Sequence, residues 1–177
     1  MYPPYWVSSK EGTFHRYPKS YSLFSGRGKF VDGYDNSVRY VDSVLQGIFE
    51  KVHNYSNFQG FLYLPDHGED PESGNAHSPD KFTFQMVRIP FLVYLSPKAI
   101  VNRPEIQKEL QKHKDLPWTN DLAYNLLISL LGIQNAPYEE RQFDLASPTY
   151  QLNWEKVKTQ HGTKSLSEKI DPHSRFK

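Results

Sequence analysis

The residue types most able to do chemistry are gathered in Asp66-His67-Gly68-Glu69-Asp70 and in His77. A carboxylate and an imidazole are donors that zinc accepts, and neighbours at a turn can both reach one ion because the backbone is not extended there. Gly68 lets the chain turn without a Cβ clash. The competing reading is a plain turn, with Asp66 capping the loop and His67 exposed to water. His77 stands ten residues after His67. It can serve as a further metal ligand, as a cationic imidazole holding an anionic oxygen, or simply as a solvated loop residue. A second group, His15 and Arg16, lies in the aromatic and basic run Gly12 to Pro18. That loop could fold over a phosphate, with Arg16 pairing with the same anion, or be purely structural. His53 reads as a helix-end residue, His113 as part of a charged surface helix, and His161 and His173 as tail residues. The sequence holds no Gly-x-Ser-x-Gly elbow, no phosphate-binding Gly-rich loop and no His-Glu-x-x-His.

These residues need elements to position them. Val38, Val41, Val44, Leu45, Ile48, Phe49 and Val52 recur at intervals of three and four, so a helix is expected from Asn36 to about His53, capped by Asp35 or Asn36. Phe58–Leu64 is a nearly continuous apolar run of the kind buried on both faces of a parallel sheet. Polar residues directly after such a strand face the ligand crevice of an open α/β sheet, which is where Asp66 and His67 fall. Glu69–Asp80 reads as an exposed loop that leaves and returns to the same strand end. A second strand is expected over Ile89–Leu95, beginning at or beside Pro90 and closed by Ser96-Pro97. A solvated surface helix should start at Pro104. Another, capped by Thr119 or Asn120 and ended by Gly132, should pack Leu122, Leu126, Leu127, Leu130 and Leu131 on the sheet. The first 34 residues read mainly as loop. The main body is expected over 1–150, with a polar, basic tail or peripheral hairpin over 151–177.

At 177 residues and 37% hydrophobic content, one modest core is the expectation. Lys and Arg number 21 against 20 Asp and Glu, so there is no overall field for nucleic acid. The lack of cysteine excludes disulfides, thiolate zinc sites and a Cys nucleophile. Aromatics reach 15%, mean hydropathy is −0.70, and 13 Pro accompany 10 Gly, the profile of a loop-rich soluble protein. No apolar run approaches the roughly 20 residues of a membrane span, and Met1–Trp6 lacks the pattern of an export signal. Two secure strands are fewer than a doubly wound sheet requires.

Taken in order, Arg16-Tyr17-Pro18, the run Tyr34–Asp42, the run Tyr63–Glu69, His77 and the run Arg88–Ser96 resemble the C-terminal half of the catalytic domain of bacterial phosphoethanolamine transferases. These are sulfatase-like members of the alkaline phosphatase superfamily, and the resemblance covers roughly residues 12–133. It implies an α/β fold, part of an alkaline-phosphatase/sulfatase-like sandwich with a mostly parallel sheet and flanking helices. It also implies that Asp66 and His67 bind the catalytic Zn2+ and that His77 holds the substrate phosphate or an additional metal. The family's third histidine has its nearest match in His15, beside Arg16, across a shortened loop, and these two are expected to bind substrate. Glu69 is expected to orient a ligand from outside the coordination shell.

The family's nucleophilic Thr and zinc-binding Glu have no counterpart in this sequence. The resemblance puts them upstream together with membrane helices, so the chain is expected to be a piece of such an enzyme that alone does not turn over substrate. The implied activity is metal-dependent transfer of phosphoethanolamine from phosphatidylethanolamine to the lipid A or core of lipopolysaccharide. The parent enzyme would work at the periplasmic face of the inner membrane. The partners are then the two lipids and the upstream part of the enzyme, with no nucleic acid. A sulfatase or phosphodiesterase of the same superfamily, or a non-catalytic module binding through the exposed loop and basic tail, are the competing readings.

Overall fold

A computed structural model describes residues 6–8, 14–16, 29–73, 77–158 and 165. The chain divides into two units, Met1–Phe58 with His67–Arg88, and Gln59–Asp66 with Ile89–Lys177.

In the first unit β1 (Trp6–Ser8) and β2 (Phe14–Arg16) pair antiparallel, with Val7 opposite His15. Helix α1 (Lys29–Val52) begins earlier than Asn36 and ends where the periodicity stops. Asp32 in its first turn and Lys51 in its last both suit the helix dipole. The Ser37 and Ser43 hydroxyls donate to the Tyr34 and Tyr40 carbonyls, at 2.6 and 2.7 Å, which keeps them from competing for other backbone groups. The stripe Val38, Val41, Val44 and Ile48 remains 40–50% exposed. At the C-terminal end Phe49 stacks on His53 and meets Phe58 edge-on, with ring centroids 5.2 and 6.0 Å away. The remainder of the unit, His67–Arg88, contains two 3₁₀ turns, Pro79–Lys81 and Phe84–Val87, and buries Met86.

In the second unit β3 (Gly60–Tyr63) and β4 (Leu92–Leu95) pair antiparallel, Gly60 opposite Leu95 and Tyr63 opposite Leu92. The apolar run around β3 was expected in a parallel sheet. Parallel pairing needs a crossover that carries the chain back to the far end of the strand. Here the end of β3 and the start of β4 lie side by side, so the connection returns to the end it left. Pro90, with no N–H to give, precedes β4. Ser96-Pro97 closes β4 and also opens α2 (Pro97–Asn102), the Ser96 side chain accepting from the Ala99 N–H at 3.1 Å.

Helix α3 (Pro104–His113) starts at its proline as expected, but it is not wholly solvated. Ile106, Leu110 and His113 follow one another at four and three residues and so share a face. Ile106 and Leu110 pack on the core, and His113, 3% exposed, places Nδ1 2.9 Å from the Leu145 carbonyl. Helix α4 (Ala123–Leu131) ends at Gly132, whose φ of 69° is the left-handed conformation glycine adopts without a Cβ penalty. Arg103 donates from both terminal nitrogens to the Ser129 and Leu130 carbonyls, at 2.7 and 2.5 Å, capping that helix end. Leu126 and Ile128 are buried, whereas Leu127 and Leu131, expected on the packed side, face outward at 40% and 69% exposure.

The core of this unit joins Leu126 to Leu145, Ala146 and Tyr150, with Leu62 of β3 and the stacked pair Phe91–Trp118 around them. Asp144 is fully buried and accepts from the Ala146 N–H at 2.9 Å and from the Ser129 hydroxyl. Burial pushes its carboxyl above the usual range. Tyr150 donates to the Pro117 carbonyl at 2.5 Å, and burial raises its phenol likewise. In the tail Val157 is buried and Lys158 bridges antiparallel to Ser165. His161 and His173 lie outside the described residues. Among the described residues no helix is long and apolar enough to cross a membrane.

Candidate metal centre

The site is built on a backbone contact that glycine alone permits. The Gly68 N–H donates to the Met86 carbonyl at 2.8 Å, and Gly68 is buried. A Cβ there would lie 2.7 Å from the Gln85 carbonyl oxygen, 2.8 Å from that of Arg88 and 3.2 Å from that of Met86. The glycine therefore serves close approach between two stretches of backbone.

His67 and Glu69 stand on either side of Gly68, and both side chains meet His77. Glu69 Oε1 lies 2.8 Å from His77 Nδ1. The His67 and His77 rings approach to 4.4 Å between centroids at a tilt of 37°. His67 Nδ1 itself faces the Gly68 carbonyl at 2.9 Å. Asp70 begins the turn that leads toward His77, its carboxylate accepting from the Ser73 N–H at 3.0 Å and the Ser73 hydroxyl donating back to its carbonyl at 3.1 Å. That backbone N–H holds the Asp70 carboxyl below the usual range.

His67, Glu69 and His77 thus each offer one ligand atom, and the three atoms lie within 4.8 Å of one another. Two imidazoles and a carboxylate are a donor set that zinc takes at about 2.0–2.2 Å per bond. His67 is exposed and the other two are half-buried, so the group opens to solvent and to small rotations of its rings. The residues present fit a divalent ion.

Asp66 belongs to the second unit, where its backbone carbonyl accepts from Asn120 Nδ2. His15 and Arg16 are placed on β2 by their backbone, and their side chains lie outside the described residues. Glu69, read from the sequence as an orienting residue, has a carboxylate oxygen within 4.8 Å of a nitrogen of each imidazole.

The sulfatase family model matches residues 12–127, which takes in the whole group. Among characterised relatives, the chain is similar to the Kdo(2)-lipid A phosphoethanolamine 7''-transferase of Escherichia coli strain K12, at 27% identity over 139 residues. It is similar at 29% identity over 139 residues to the transferase of the same name from Salmonella typhimurium strain LT2. Each match takes in 66% of this chain and 23% of the relative, so the chain spans about a quarter of the length of these proteins. No solved structure matches it.

Proposed function

Because the chain belongs to the sulfatase family, we propose that it carries part of the metal centre of a transferase moving phosphoethanolamine from phosphatidylethanolamine to the lipid A or core of lipopolysaccharide. The observation that carries this reading is the convergence of His67, Glu69 and His77 in the segment the family model covers. Similarity to two transferases whose names specify Kdo(2)-lipid A supports the acceptor class. The ion is zinc in this reading, and the work is done at the periplasmic face of the inner membrane. The mostly parallel sheet implied by the resemblance belongs to the same proposal.

His67 and His77 would hold the ion through imidazole nitrogens, with the Glu69 carboxylate against His77. The resemblance adds Asp66 to the ligands and His15 with Arg16 to the substrate contacts. When bound, zinc supplies Lewis acidity toward a phosphoryl oxygen and lowers the pKa of a coordinated hydroxyl. The attacking Thr is assigned upstream by the resemblance, so this chain contributes binding and charge. His77 is tied to Glu69 through Nδ1. Glu69 prevents that ring from swinging out of reach.

Zinc titration of the purified chain by calorimetry tests the reading. Wild type is expected to take up zinc, and His67→Ala with His77→Ala to weaken uptake at least about 100-fold, since loss of a supporting residue alone costs about 10–100-fold. Zinc uptake unchanged in the double variant, or no specific uptake by wild type, would remove the metal centre and favour a binding module.

A further inference from the structure

Both imidazoles of the centre turn Nδ1 toward an atom that can only accept. His67 Nδ1 lies 2.9 Å from the Gly68 carbonyl oxygen, and His77 Nδ1 lies 2.8 Å from Glu69 Oε1. A carbonyl oxygen and a carboxylate oxygen accept, so each contact is made with the ring proton on Nδ1. A neutral imidazole protonated at Nδ1 carries its lone pair at Nε2, and that nitrogen is then the one able to ligate.

We propose that Glu69 is a positioning residue that acts through His77: its carboxylate fixes the tautomer and angle of the ring so that Nε2 is the ligating atom, as the Gly68 carbonyl does for His67. This rests on the metal-centre reading above and divides the roles within it. Three consecutive residues then supply one ligand and both tautomer-setting acceptors, His67 with the carbonyl of Gly68 and the carboxylate of Glu69. The 2.8 Å separation is that of a charge-assisted hydrogen bond, strong enough to hold a half-buried ring. A Glu69 bound directly to the ion would share its carboxylate with the metal and loosen this bond, and an ion on His77 Nδ1 would displace the proton outright.

The test is long-range proton–nitrogen NMR of the full chain labelled with 15N-imidazole histidine, without and with zinc, the two rings assigned from the His67→Ala and His77→Ala spectra. Neutral His67 and His77 are expected to be protonated at Nδ1 before zinc is added. Zinc is then expected to shift both Nε2 resonances while both Nδ1 protons remain. In Glu69→Ala, His77 should revert toward the Nε2–H tautomer that free imidazole favours. His67 should keep its own tautomer, because the Gly68 carbonyl is untouched, and zinc affinity should fall about 10–100-fold.

A His77 protonated at Nε2 in wild type, a zinc-bound Nδ1, or a His77 tautomer indifferent to Glu69→Ala would overturn the assignment. If the wrong tautomer occurs while zinc still binds, the metal centre survives and the role given to Glu69 does not. If the tautomers are as expected and no zinc binds, Glu69 still controls the ring, and ligation through Nε2 is overturned together with the metal centre.

Discussion

An alanine at position 68 would bring its Cβ to 2.7 Å from the Gln85 carbonyl oxygen and 2.8 Å from that of Arg88. Ordinary contact starts near 3.4 Å, so the facing backbone must open by about 0.6–0.7 Å. Both obstacles are main-chain oxygens, which cannot rotate away as a side chain would. Overpacking of this kind costs about 1–3 kcal/mol, and stretching the Gly68 N–H bond to Met86 adds about 0.5–1.5 kcal/mol. A total of about 1.5–4.5 kcal/mol corresponds to a fall in Tm of roughly 3–18 °C for a chain of this size. The displacement also exceeds the ~0.5 Å within which a binding constellation must be held, and His67 and Glu69 flank the affected residue. Zinc affinity is therefore expected to drop about 10–100-fold along with stability. Thermal unfolding by circular dichroism and calorimetric zinc titration of Gly68→Ala measure the two effects. A variant that melts within 2 °C of wild type, or melts lower but binds zinc as wild type does, would refute the link between the backbone contact and the site.

Gly47→Ala is the converse case: a Cβ there meets nothing within 4 Å, inside α1, so the variant should gain about 0.5–1 kcal/mol and melt a few degrees higher. Arg103→Lys should lose one of the two bonds to the α4 carbonyls and cost about 1–2 kcal/mol in denaturant unfolding, with β3–β4 unaffected. Asp144 carries a carboxyl raised by burial, so above its ordinary range the unfolded chain releases that proton before the folded one does. Its contribution to stability is full in acid and is lost as pH rises through the raised value. Asp144→Asn does not titrate, so the stability difference between variant and wild type, followed from pH 4 to 8, should move in the variant's favour as pH rises.

Sequence patterning located elements where one physical cause dominates. The end of α1, the Pro104 helix start and the Gly132 cap follow from periodicity, proline geometry and the left-handed conformation, each local to a few residues. Asp66-His67 and His77 stood out because titratable groups were concentrated in a loop between two apolar runs. Pairing direction was not local: β3 looked parallel from its apolar content, but where β4 begins depends on the whole connection. The packed segment around Leu145, Ala146 and Tyr150 has no period to announce it, because it is buried by contacts with α3 and α4 and not by a regular element of its own. The same applies to His113, charged in its sequence surroundings and buried by a carbonyl 32 residues away. Which side of α4 is covered was also ambiguous, since Leu126, Leu127, Leu130 and Leu131 satisfy two overlapping helical stripes.

The bond from the Gly68 N–H to the Met86 carbonyl makes everything between those residues an excursion with fastened ends. The entropic cost of closing such a loop grows slowly, by about 0.6 kcal/mol for each doubling of its length. One residue inserted between His67 and Glu69 would disturb that fastening and separate the first imidazole from the carboxylate. The three residues His67-Gly68-Glu69 behave as a single indivisible part.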